Sequence, residues 1–198
     1  LGVSETLSIN EIDFEAVKQS NCIYIEGYLV TSPSAKSAII DLKEFANENE
    51  IKTAFTFSDP SMLEYFKDSV NEVLGDGVDL LFCNEQELKL WAGTEVFNEA
   101  CKTMESIANQ FAVTRGPKGA TLFDGETYIS IAGNPVQAVD TNGAGDMFAG
   151  AFLYAISQGE NFETAGKLAS LASSEVVTVF GPRLKAEQHR DIAKRALG

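Results

Sequence analysis

The sequence predicts an α/β protein: a doubly wound, mostly parallel sheet with helices on both faces and an antiparallel hairpin at its margin. Three observations carry that prediction. Short apolar runs alternate with segments of helical periodicity along most of the chain. Repeated strand–helix alternation argues for a parallel sheet, and a sheet of that kind is covered on both faces. Late in the chain, Asp124-Gly125 separates two strand-like runs without an intervening helix, which is a hairpin-turn signal. No repeat, low-complexity tract or linker interrupts the 198 residues, so residues 1–198 are expected to form a single α/β domain.

The elements follow in order. Cys22–Glu26 is a short strand ending at Gly27. Ser34–Asn49 carries Ala35, Ala38, Ile39, Leu42, Phe45 and Ala46 at helical spacing. Lys52–Phe57 reads as a strand, and Ser58-Asp59-Pro60 opens a helix over Ser61–Leu74. Asp79–Cys83 is a strand, Glu85–Trp91 and Phe97–Ala108 are helices, and Phe111–Thr114 is a strand. Ala120–Phe123 and Tyr128–Ile131 form the hairpin, and Val136–Val139 reads as a further strand. Asp146–Ser157, Glu163–Ser174 and Leu184–Leu197 complete the chain as helices.

Composition excludes several function classes. With 15 basic and 29 acidic residues the net charge is −14, and such a surface repels nucleic acid and anionic lipid. No apolar run approaches bilayer length, and the first residues lack a signal peptide's basic and apolar regions. Cys22, Cys83 and Cys101 are odd in number and widely spaced, and His189 is the only histidine. A zinc site or disulfide framework is therefore not expected, and a cytoplasmic location fits.

Three polar segments carry chemistry, since open parallel sheets bind ligands beyond their strands' carboxyl ends. Asp140–Asp146 lies between the strand Val136–Val139 and a helix. Gly143, Ala144 and Gly145 let backbone N–H groups approach an anion at a helix start. Asp146 then stands in the first turn, where a carboxylate can take a proton from a hydroxyl attacking phosphate. The plainer reading is a Gly-rich helix start with a favourable first-turn charge. A dinucleotide GxGxxG fails because Phe148 stands at the third glycine, and no GxxxxGK[ST] is present. The second segment is Asn84-Glu85-Gln86-Glu87. Asn84 can contact phosphate and Glu87 can hold Mg2+ through water, but a capping box explains the same residues. The third is Thr114-Arg115-Gly116-Pro117-Lys118-Gly119, either a turn or a loop lining nucleotide phosphates.

Asp140-Thr141-Asn142-Gly143-Ala144-Gly145-Asp146, with Met147–Phe152 after it, resembles the C-terminal signature DTxGAGDxFxGAF of the ribokinase/PfkB family of carbohydrate and nucleoside kinases. Asn84-x-x-Glu87 is similar to that family's NxxE motif, and Thr114-x-Gly116-x-x-Gly119 to its nucleotide loop. The order matches and nearly the whole chain is covered. The resemblance implies a ribokinase-like fold and phosphoryl transfer from ATP to a hydroxymethyl group of a sugar or nucleoside. It implies Asp146 as catalytic base and the Gly143, Ala144, Gly145 and Asp146 backbone as anion hole. It gives Asn84 and Glu87 to the Mg–phosphate site and Thr114, Gly116 and Gly119 to the ATP loop. Asp140, Asn142, Val176 and Gly181 match positions holding a monovalent cation (K+), and Ser170 falls where several relatives place an adenine-contacting Asn.

Tyr24–Leu29 and Phe180–Leu184 look most like the adenosine kinase-like branch. The family's Gly-Gly substrate motif, substrate Asp and small lid have no counterpart here. The expectation is thus the C-terminal two-thirds of a kinase, incomplete at its N-terminal substrate and lid region, with a homodimer an option only for the full-length protein. A catalytically inactive nucleotide-binding module is the alternative, and a dehydrogenase a weaker third. Trp91 and Cys83 read as packing, and His189 as a solvated residue.

Overall fold

The computed structural model describes residues 2–197. Six strands, β1 (Cys22–Glu26), β2 (Lys52–Thr56), β3 (Val78–Asn84), β4 (Ala108–Thr114), β5 (Ala120–Phe123) and β6 (Tyr128–Ile131), take the order β1-β2-β3-β4-β5-β6 in one mixed sheet. β1, β2 and β3 run parallel, with Tyr24 opposite Ala54 and Ala54 opposite Leu80. β5 and β6 run antiparallel across the Asp124-Gly125 turn, pairing Phe123 with Tyr128. This is the mostly parallel sheet with an antiparallel margin that the sequence predicts. The chain divides into two compact units inside β4, the first ending at Phe111 and the second starting at Ala112. Among the described residues no helix is long and apolar enough to cross a membrane.

In the first unit, α1 (Phe14–Lys18), α2 (Pro33–Glu48), α3 (Pro60–Tyr65), α4 (Lys67–Leu74), α5 (Glu85–Ala92) and α6 (Phe97–Met104) accompany the strands. Their starts are chemically marked. Ser32 caps α2 by accepting from the Ala35 amide, with Pro33 in the first turn. Asp59 caps α3 by accepting from the Ser61 amide, with Pro60 following. The single helix expected over Ser61–Leu74 is broken at Phe66, whose backbone leaves the helical region at φ −129°. The helix expected over Phe97–Ala108 stops at Met104, and Ala108 already belongs to β4. Phe55, Leu81, Leu88, Met104 and Phe111 fill the unit's core.

One buried cation organises the end of α4. Lys43, on α2, is buried, and its Nζ donates to the carbonyls of Val73 (2.7 Å), Leu74 (2.6 Å) and Gly77 (3.1 Å). These include carbonyls that a helix terminus leaves without partners, at the end where a cation is favoured. Burial pushes the Lys43 pKa down to about 8, against the opposing pull of the Asp76 carboxylate.

In the second unit, α7 (Ala144–Ser157), α8 (Phe162–Val176) and α9 (Ala186–Leu197) follow the hairpin. Asn161 caps α8 by accepting from the Thr164 amide. Phe152 packs edge-on against Phe162, and the small Ala165, Ala169 and Ala172 of α8 are buried. The predicted strand Val136–Val139 does not form. Pro135 has no N–H to give a ladder, and the Val139 and Asp140 amides donate instead to the Val177 carbonyl, at 2.7 and 3.2 Å. Both valines are exposed, so no apolar face holds the segment on a sheet.

Replacing Lys43 with Met strands the Val73 and Gly77 carbonyls and leaves the Leu74 carbonyl only the Gly77 amide. The expected loss is about 1–3 kcal/mol of stability in urea unfolding. A Lys43→Met protein as stable as the parent would show that these carbonyls find other partners.

Candidate active site

The start of α7 is the best-defined polar site of the second unit. Gly143 precedes the helix in the left-handed region, at φ 75°, and a Cβ there would lie 2.6 Å from the Pro182 side chain. Only glycine meets both conditions. The Ala144 amide is taken by the Thr141 carbonyl at 3.3 Å, and the Met147 amide begins the helical ladder on Gly143. Between them, the Gly145 and Asp146 amides have no acceptor among the described residues, as first-turn positions dictate. Gly145 is exposed with nothing within 4 Å of its Cβ position, so an anion can reach these donors. The Asp146 side chain is exposed beside them.

Asp140 holds this site in shape. Its Oδ1 accepts from the Asn142 amide and its Oδ2 from the Gly181 amide, both at 3.0 Å. These two backbone donors, Asn142 first, hold its carboxyl below the usual range. With the two amides on the Val177 carbonyl, the contact clamps the segment before α7 to the turn after α8. The predicted cation-loop residues Asp140, Asn142 and Gly181 are thereby brought together, with Val176 next to Val177 at the end of α8. Ser173 adds a link, its hydroxyl donating to the Ala144 carbonyl at 2.9 Å.

Thr114 ends β4, and residues 116–118 form a single tight turn closed by the Arg115 amide on the Gly119 carbonyl at 2.8 Å. Gly119 adopts φ 90°, and a Cβ there would overlap the Ile131 carbonyl. The turn is thus packed on the segment leaving β6. Ser170 is buried and fully engaged, donating to the Ala132 carbonyl at 3.3 Å and accepting from Asn134 Nδ2 at 3.2 Å.

In the first unit, Asn84 and Glu87 form a complete capping box. Asn84 Oδ1 accepts from the Glu87 amide at 2.9 Å, and Glu87 Oε2 accepts from the Asn84 amide at 2.8 Å. Glu87 is nonetheless only 4% exposed, more buried than a cap requires. Burial raises its pKa to about 7; the Asn84 amide opposes the shift and the Asp59 carboxylate adds to it. In the sequence Asp59 marks only a helix start, because its influence on Glu87 crosses between segments. The donor set fits Mg2+ held through water. One Glu87 oxygen is committed to the cap, and Asn84 keeps its Nδ2 for a phosphate. Trp91 and Cys83 are packing groups, as expected. Trp91 stacks near Phe57 and donates to Asn71 Oδ1 at 3.2 Å, and burial raises the Cys83 thiol.

The Glu87 shift has a definite sign. Its folded pKa of about 7 lies above the ordinary 4.5, so the folded state binds the extra proton between those values. Stability from this group is present below about 4.5 and is lost as pH rises through about 7. Glu87→Gln, compared with the parent by urea unfolding in EDTA, should therefore gain relative stability between pH 4.5 and pH 8. A difference independent of pH would remove the buried-carboxyl account.

The family model described as pfkB family carbohydrate kinase matches residues 3–189. Adenosine kinase of Saccharomyces cerevisiae is 26% identical over 204 residues, covering 95% of this chain and 59% of that protein. A probable sugar kinase of Rhizobium etli superposes with a TM-score of 0.91 at 31% identity, over 97% of this chain and 58% of that one. Adenosine kinase of Sinorhizobium meliloti gives 0.91 at 30% identity, over 96% and 59%. The chain thus spans a little under two thirds of the length of each of these proteins. Resting on the match to residues 3–189, and agreeing with the signature at the start of α7, the conclusion is that this chain belongs to the pfkB family of carbohydrate kinases.

Proposed function

We propose that this chain carries the nucleotide-binding and catalytic part of an ATP-dependent kinase. It transfers the γ-phosphoryl group to a hydroxymethyl group of a sugar or nucleoside, with adenosine or a related compound favoured. The observation that carries the reading is the start of α7, where a carboxylate stands beside two unengaged amide donors on an open surface. The relatives named adenosine kinase support the acceptor class.

In this reading Asp146 accepts the hydroxyl proton as the acceptor oxygen attacks the γ-phosphorus. The bond from that phosphorus to the bridging oxygen breaks, and ADP leaves with the electron pair. The Gly145 and Asp146 amides hold the charge on the transferring group, an arrangement that needs no rearrangement during the step. Thr114, Gly116 and Gly119 would line the nucleotide. Asn84 and Glu87 would hold a hydrated Mg2+, which when bound would supply charge neutralisation on the phosphate oxygens. Asp140, Asn142, Val176 and Gly181 would hold a monovalent cation, K+, which would supply positive charge beside the anion hole. The reduced cytosol suits the three free cysteines.

The test uses the whole protein with MgATP and a panel of nucleosides and sugars. Asp146→Asn should lower kcat by about two to four orders of magnitude, the usual worth of a general base, with little change in ADP affinity. Wild-type turnover in Asp146→Asn would remove the base assignment. Nucleotide binding with no turnover on any acceptor would favour a non-catalytic binding module instead. Exchanging K+ for tetramethylammonium should lower turnover, and unchanged rates would remove the cation assignment.

A further inference from the structure

We infer that Asn134 reads the nucleobase of the nucleotide, accepting a hydrogen bond from the amino group of adenine through its Oδ1. The inference rests on the nucleotide-binding reading above and deepens it.

The argument starts from Ser170. A hydroxyl has one hydrogen to give, and Ser170 gives it to the Ala132 carbonyl. It can then only accept from Asn134, so the Asn134 amide must turn its Nδ2 inward. That leaves Oδ1 as the free end of the amide, an acceptor with no partner among the described residues. Asn134 is half-buried, and Pro135 restricts its backbone to extended conformations. The acceptor is therefore held in one orientation before any ligand arrives.

Its position suits a base. Gly119 and Gly133 are in close backbone approach, since a Cβ on Gly133 would overlap the Pro117 carbonyl, so Asn134 adjoins the 116–119 turn. Along α8, Ser173 touches Ala144 at the anion site, and Ser170, one turn earlier, holds Asn134. Three residues of helix rise about 4.5 Å. One helix face thus links the phosphate end of the site to a fixed acceptor beside the nucleotide turn. An acceptor there favours adenine, whose six-position carries an amino donor. It disfavours hypoxanthine or guanine, which place a carbonyl oxygen against it.

Calorimetry of the whole protein with ADP and with IDP tests this without needing an acceptor substrate. ADP should bind about tenfold or more tightly than IDP, the worth of one hydrogen bond. Asn134→Leu should bring the ratio close to one, chiefly by weakening ADP. Ser170→Ala, which frees the amide to rotate, should lower the ratio too. Asn134→Asp keeps an acceptor and should keep the preference, which separates base reading from a loss of folding. Equal ADP and IDP affinities in the parent, or a ratio unchanged in Asn134→Leu, would overturn the inference and leave the kinase reading standing. Failure to bind either nucleotide would overturn both.

Discussion

The second unit depends on one carboxylate. Asp140 accepts from the Asn142 and Gly181 amides and so ties the segment entering α7 to the turn leaving α8. Neither segment has regular structure of its own at that point. Without the tie, the left-handed conformation of Gly143 and its contact with Pro182 would have little to fix them. The unengaged amides of Gly145 and Asp146 owe their aim to that arrangement. An anion site needs donors held in place before charge arrives, and two backbone hydrogen bonds to an ionised group are among the stronger ways to hold them.

The first unit solves a different problem. Asn84 and Glu87 satisfy each other's amides, which is ordinary helix chemistry. Burial of Glu87, with the Asp59 carboxylate adding to it, makes the same pair electrostatically costly. A carboxyl kept poorly solvated gains most when a cation arrives, so the capping box and the proposed metal role are compatible uses of the same residues. Lys43 is the counter-example. It is also buried, but all three of its donors go to backbone carbonyls, so its role is confined to closing α4.

Most strands and helices were legible because their apolar periodicity and caps are local. Asp59 and Asn84 each mark a helix that forms. The errors fell where local signal and tertiary context disagree. Val136–Val139 has strand composition, but its Val139 amide is drawn to the Val177 carbonyl. Ser61–Leu74 has continuous helical periodicity, yet the backbone turns at Phe66.

By itself, the sequence determined the fold class, the family and the short motifs at Asn84, Thr114 and Asp140–Asp146. Each depends on residues close together in the chain, where spacing alone fixes the local geometry. Tertiary structure decided which groups are committed and which remain available. Ser170 is consumed by Ala132 and Asn134, the Ala144 amide by Thr141, and both Asp140 oxygens by backbone donors. Hydrogen-bond partners tens of residues apart, such as Asp140 and Gly181, leave no periodicity or spacing to read. They meet only because the packed helices bring their ends together.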